Sequence, residues 1–158
     1  MTNLPDRLHQ LLLNITYRLF NGFSFVFRPA TKGVLIGVWL KDTLLVIKNS
    51  YHRKYSLPGG FVRPGENLKS AAMRELAEEV GFSVDVDRLH YVGKARFRIH
   101  YRHEILGYFE IKLLHQPVVA IDHQEVVWAD FMSPEKALNL ELTGPAKRYI
   151  DGYDKGGF

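Results

Sequence analysis

An α/β domain with a mixed sheet sandwiched between helices is the fold class this sequence predicts, on three observations. Short β-branched and apolar runs recur along the chain, amphipathic segments of helical period interleave with them, and no strict strand–helix–strand rhythm of an all-parallel sheet emerges. At 158 residues a single domain can bury roughly 70% of the surface its unfolded chain exposes, so it needs no staples. The sequence has no cysteine, which excludes disulfides, thiolate zinc sites, iron–sulfur clusters and thiol catalysis, and agrees with a cytoplasmic location as the expectation. A net charge of +4 suits an anionic small ligand and falls short of the dense basic tracts of a dedicated nucleic-acid protein.

Two units are expected: an N-terminal amphipathic helix and connector over 1–28, packed on a main domain over 29–158. In the first, Leu4, Leu8, Leu11, Leu12, Ile15 and Leu19 follow helical spacing, with Leu13, Tyr17 and Phe20 widening the stripe. Arg7, Asn14, Arg18 and Asn21 interrupt it too often for a membrane span, and Asp6 stands where a leader peptide would be basic. Packing on its own domain is the first expectation for this stripe; a homodimer contact and a membrane surface are the alternatives.

Lys32 to Leu40 and Thr43 to Lys48 read as paired strands around Lys41-Asp42. Ser56 to Gly65 carries Pro58, Gly59, Gly60, Pro64 and Gly65 and predicts a structured loop. A helix follows: Asn67 caps it, Leu68, Ala72, Leu76 and Val80 give a four-residue apolar stripe, and Gly81 suits the left-handed position past its end. Strands are expected over Arg88 to Tyr101, Ile105 to Leu114 and Glu125 to Met132, with a polar loop from His115 to Gln124. Pro134 opens a short helix, Pro145 to Tyr153 reads as a terminal helix, and the tail from Asp154 is expected to fray.

The chemistry concentrates between Gly60 and Phe82. At 100° per residue Glu75, Glu78 and Glu79 fall within one arc of the helix, and Glu79 lies between Leu68 and Ala72 at the margin of the apolar stripe. Like charges at these spacings each cost about 0.2–0.5 kcal/mol, and a carboxylate turned toward the core adds a desolvation cost. A hard divalent cation with oxygen ligands offsets both. The plain alternative is a solvated acidic face with Arg74 paired to Glu78 one turn on.

These residues stand together in one register: Gly60, Glu66, Arg74, Glu75, Leu76, Glu78, Glu79, Gly81 and Phe82. The segment resembles the Nudix box at every constrained position, a match that chance would produce on the order of 10⁻⁸ per starting position at ordinary residue usage. The resemblance implies a Nudix-type α/β/α sandwich and a hydrolase that uses Mg²⁺, with Mn²⁺ as a substitute, to cleave a pyrophosphate bond. Its substrate would be a nucleoside diphosphate linked to another moiety or a nucleoside triphosphate. It implies Glu75, Glu78 and Glu79 as metal ligands with the Gly60 carbonyl as another, and Glu66 paired with Arg74 to hold the loop on the helix. The proline and tyrosine that mark ADP-ribose and dinucleoside-polyphosphate hydrolases beyond the box are missing, their places falling within Arg96 to His100. Substrate identity therefore stays open.

Nudix enzymes often recruit one more acid from a later loop, for which Glu125 is the first choice and Glu104, Glu110 and Asp122 are competitors. Lys94, Arg96, Arg98, His100 and Arg102 recur at every second residue, a basic strand face suited to phosphates or to ordinary surface. Arg53, between His52 and Lys54, forms a second basic group before the glycine loop. Arg53, Arg96 and Arg98 are the expected substrate-binding cations. The basic strand also keeps a 5′-RNA pyrophosphohydrolase in view as the alternative, with a non-catalytic nucleotide sensor behind it.

Overall fold

The computed structural model describes residues 4–27, 30–99, 102–121 and 123–154. Helix α1 (Leu4–Phe27) precedes strands β1 (Ala30–Leu40), β2 (Thr43–Asn49) and β3 (Tyr55–Ser56) and helix α2 (Leu68–Val80). Strands β4 (His90–Ile99), β5 (Arg102–Leu113) and β6 (Val126–Met132) and helices α3 (Pro134–Leu138) and α4 (Gly144–Asp154) follow. Asn67 caps α2 by accepting the Ser70 N–H at 2.9 Å, and Gly81 closes it at φ 74°.

One mixed sheet runs β3-β2-β1-β5-β4, with β6 on β2. Strands β1 and β5 pair in parallel from Ala30 opposite His103 to Leu40 opposite Leu113, and the other pairs are antiparallel. Both faces of the central strands are apolar because both are covered. Val34, Ile36, Leu45, Ile47, Phe109 and Ile111 pack under Ala72, Leu76 and Val80 of α2. On the other face Leu35, Trp39, Leu44, Val46 and Tyr108 meet Ala137 of α3 and Ala146, Tyr149 and Ile150 of α4. Tyr149 ties this layer by accepting from Trp39 Nε1 at 2.8 Å and donating to Glu110 Oε2 at 3.0 Å.

The expected hairpin at Lys41-Asp42 is minimal. Strands β1 and β2 pair only at Leu40–Thr43 and Trp39–Leu44, because β2 runs on along β6 and β3 instead. The edge of β1 so freed is occupied by the glycine loop. Ile36 N–H donates to the Pro58 carbonyl at 2.8 Å, Val34 N–H to the Gly60 carbonyl at 2.9 Å, and Val62 N–H to the Lys32 carbonyl at 2.9 Å. The loop thereby satisfies backbone groups that would otherwise stand unpaired beside the core.

Two expectations need correction. The strand expected over Arg88 to Tyr101 spans His90–Ile99, since Arg88 closes a 3-10 turn over Val86–Arg88, and Arg102 already belongs to β5, opposite Ile99. The two-residue alternation carries straight across a chain reversal, which periodicity alone cannot detect. Strand β3 was not expected, and it borrows its order from β2 and from the Glu141 carbonyl, which accepts the Tyr55 N–H at 2.9 Å. His100, Asp122 and the tail beyond Asp154 lie outside the described residues.

Candidate active site

Helix α2 buries Ala71, Ala72, Leu76 and Val80, and that packing carries two glutamates inward with it: Glu75 is 8% exposed and Glu79 2%. Burial is the first cause that raises both carboxyls above their usual range. Arg74 opposes the rise at Glu75, while the Gly59 N–H and Asn49 oppose it at Glu79, where the Glu75 and Glu125 charges add to it. Glu79 Oε2 accepts the Gly59 N–H at 2.7 Å and Oε1 accepts Asn49 Nδ2 at 3.1 Å. A Cβ on Gly60 would stand 2.6 Å from Glu75 Oε1, so only glycine lets the loop backbone come this close to the carboxylate.

Arg74 is the hub of the remaining charges. Its Nε and Nη2 meet Glu66 Oε1 and Oε2 at 2.9 and 3.0 Å, Nη1 meets Glu75 at 2.7 Å and Glu78 at 3.0 Å, and Nη2 also donates to the Phe61 carbonyl at 2.9 Å. The fork on Glu66, helped by the Arg63 N–H at 2.9 Å, holds that carboxyl at about 2. The expected Glu66–Arg74 pairing is thus a two-pronged clamp of loop to helix. Glu78, half exposed, is shared between Arg74 and Arg63, the latter at 3.1 Å.

Glu125 reaches the same cluster through a chain of hydrogen bonds. Tyr51 Oη donates to Glu125 Oε1 at 3.1 Å and accepts from Asn49 Nδ2 at 3.1 Å, and that amide also bonds Glu79. Burial and the two carboxylates keep the Tyr51 phenol protonated. Of the competitors, Glu110 lies beneath Tyr149 on the face of β5 toward α4, whereas Glu104, buried, lines the cleft that opens at Gly59 and Gly60. Sequence reasoning missed Tyr51, Asn49 and Arg63, none of which carries a motif.

A cleft of about 480 Å³ opens at Gly59 and Gly60, within the range usual for small-molecule sites. Tyr17 of α1, His52, Phe61, Phe97 and Arg98 wall it, with Thr143 to Pro145 at the start of α4. Tyr17 packs on Tyr51 and His52 with ring centroids 5.3 and 5.9 Å apart. Of the three cations expected to bind substrate only Arg98 lines the cleft; Arg53 and Arg96 are exposed and off its wall, whereas His52 and Lys54 are on it. Arg96 stands opposite Ile105, and Glu110 stands opposite His90, so no carboxylate faces Arg96 across the strand pair.

Two buried carboxylates raised by desolvation, a third coupled to them, and an all-oxygen donor set are a fit for a hard divalent cation. Among the described residues no three acidic or histidine side chains already close into a cage, since Arg74 draws Glu75 and Glu78 to itself.

Comparison with known proteins bears on the fold and the family. Residues 29–152 match the family model of the NUDIX domain. The chain is 33% identical over 88 residues to the CTP pyrophosphohydrolase of Escherichia coli K12, an alignment covering 56% of this chain and 62% of that relative, so it spans under two thirds of that protein. The MutT protein of Methanosarcina mazei superposes with a TM-score of 0.68 at 23% identity, over 82% of this chain and 96% of the other. The NUDIX domain of Shewanella oneidensis NrtR, solved with ADP ribose, gives 0.71 at 16% identity over 82% and 90%. With the complete box folded onto α2 and its loop, and the family model spanning most of the chain, this protein belongs to the Nudix family.

Proposed function

We propose that this chain hydrolyses a pyrophosphate bond in a nucleotide-type substrate, either a nucleoside triphosphate or a nucleoside diphosphate linked to another moiety. The observation that carries the reading is the packing of Glu75 and Glu79 against the Gly59–Gly60 backbone that opens on the cleft, with Glu125 joined to Glu79 through Tyr51 and Asn49. Glu75, Glu78 and Glu79 with Glu125 and the Gly60 carbonyl are the oxygen donors that would hold Mg²⁺ or Mn²⁺. When bound, the cation supplies neutralisation of phosphate oxygens and a lowered pKa for the attacking water.

Around that centre the chain does the positioning. Arg98 and Lys54 draw phosphates into the cleft, and Tyr17, Phe61 and Phe97 offer aromatic surface for a base. Water adds to phosphorus, the bridging P–O bond breaks, the leaving phosphate takes the electron pair, and a cluster carboxylate receives the water proton. The likeness to a CTP pyrophosphohydrolase favours a nucleoside triphosphate, giving monophosphate and pyrophosphate. The 5′-RNA reading is weaker, because the basic row it relied on is divided between β4 and β5.

Incubation with a panel of nucleoside triphosphates, nucleotide sugars and dinucleotides, with Mg²⁺ or Mn²⁺ and chromatographic separation of products, tests this. Cleavage between phosphates in at least one substrate, abolished by EDTA, is the expected result. No turnover across the panel with either ion would overturn it.

A further inference from the structure

Helix α1 lies on the domain with the wrong side out. Among the described residues its contacts with the domain include Asp6, which accepts from Gln124, Gln10, which donates to the His123 carbonyl, and Tyr17 on Tyr51 and His52. Its most apolar side is uncovered: Leu8, Leu11, Leu12, Ile15 and Leu19 are 60, 56, 54, 44 and 69% exposed. Such a contiguous apolar stripe is unusual on a soluble surface and marks an interaction site.

We propose that α1 docks this chain on an anionic lipid surface, lying in the interface with the leucine stripe inserted. The helix is not long and apolar enough to cross a membrane, which leaves the in-plane mode. Its charges are arranged for negative headgroups. Arg7 and Arg18, eleven residues apart, fall within about 20° of each other along one edge of the stripe, and both are exposed, while Asp6, the helix's acid, is turned to the domain. The net charge of +4 adds to the attraction.

A second copy of the chain fits the stripe less well. A seam can be drawn through Leu8, Leu12, Ile15 and Leu19, which step by four, three and four residues, but it leaves Leu11 outside and sets Arg18 beside it with His9 and Thr16, not acids, at the flanking positions that would answer it across the pair. Pairing the exposed leucines across a two-fold would bury on the order of 1,000 Å², the low end of what a specific interface needs. This proposal stands apart from the hydrolytic reading.

Sedimentation of the full chain with vesicles tests it. Phosphatidylglycerol–phosphatidylcholine vesicles should pellet the protein at least about tenfold more strongly than phosphatidylcholine alone, and raised salt should weaken the effect. Leu11→Glu with Ile15→Glu should abolish pelleting at unchanged melting temperature, and Arg7→Glu with Arg18→Glu should reduce it. Because the sequence has no cysteine, Leu12→Cys carrying an environment-sensitive dye reports insertion without a disruptive charge; a blue shift on the anionic vesicles is expected. Absence of pelleting and of the shift would overturn the proposal. So would a concentration-dependent dimer, lost in the Glu variant, in a protein indifferent to lipid.

Discussion

The acidic side of α2 and the basic row of β4 are both runs of like charge on one element, and they come to opposite ends. On α2 the apolar stripe drags Glu75 and Glu79 into the interior, where Arg74, Asn49 and the Gly59 N–H meet them. On β4 Ala95 and Phe97 take the covered face, leaving Lys94, Arg96 and Arg98 in water on the other. Buried charge must be answered by named partners, while exposed charge is answered by solvent. The first therefore makes a site sensitive to protons and cations, and the second a surface sensitive to salt.

Removing the most deeply buried charge should give the largest effect. Glu79→Gln is expected to lower kcat by more than a hundredfold, while its melting temperature in EDTA stays equal or rises because the desolvated charge is gone. Steady-state kinetics and thermal unfolding read both. Near-wild-type turnover would break the distinction at its strongest point.

Arg74→Ala comes next, leaving Glu66, Glu75 and Glu78 without their common cation. Activity should fall about tenfold or more, with a melting temperature lower by roughly 5–10 °C. Arg74→Lys should recover little, lacking the fork that spans both Glu66 oxygens. Loss of kcat at unchanged stability would show that Arg74 contacts the chemistry directly.

The two kinds of carboxylate in the cluster should respond to pH with opposite signs. Glu66 is held at about 2, below its ordinary value of 4.5, so its contribution is complete above 4.5 and is lost as pH falls toward 2. Glu75 and Glu79 are raised, so what they contribute is present below 4.5 and is lost as pH climbs through their folded values. In EDTA the melting temperature should be a few degrees higher at pH 5 than at pH 7.5, a difference that Glu79→Gln shrinks and Mg²⁺ offsets. A steady rise with pH in EDTA would contradict the burial of uncompensated charge.

The smallest effects belong to the strand. Arg98→Ala should raise KM by about threefold to tenfold with kcat nearly intact, more at low salt than at moderate salt. Arg96→Ala, two residues away and off the cleft, should change neither. Equal responses from both would return the strand to a uniform phosphate-attracting face.

Features of the fold written locally were readable in the sequence. Asn67, the four-residue stripe and Gly81 announce α2 because cap, period and terminator act within a few bonds of where they are written. The box residues were found for the same reason. Tyr51 and Glu125, 74 positions apart, meet only because β2 departs from β1 to run along β6, and nothing near either residue signals that. Arg53 stands for the basic group of His52, Arg53 and Lys54 in the sequence reading, yet His52 and Lys54 are the ones on the cleft wall, because which side chain faces a cleft depends on the loop's path. The stripe of α1 was seen at once; that the domain would be met by its Tyr17 side was beyond periodicity, which finds an apolar face without saying what covers it.

The glycine loop's place in the sheet couples the site's motions to the core. The amides of Val34 and Ile36 have the Gly60 and Pro58 carbonyls as acceptors, so the loop cannot lift from β1 without exposing backbone of a strand buried on both faces. Its opening free energy should approach that of global unfolding, unlike an ordinary mobile lid. Native-state hydrogen exchange should find the Val34, Ile36 and Val62 amides exchanging with the slowest class in the protein. A loop anchored in this way gives up adaptability in exchange for a backbone already in position before any ligand arrives.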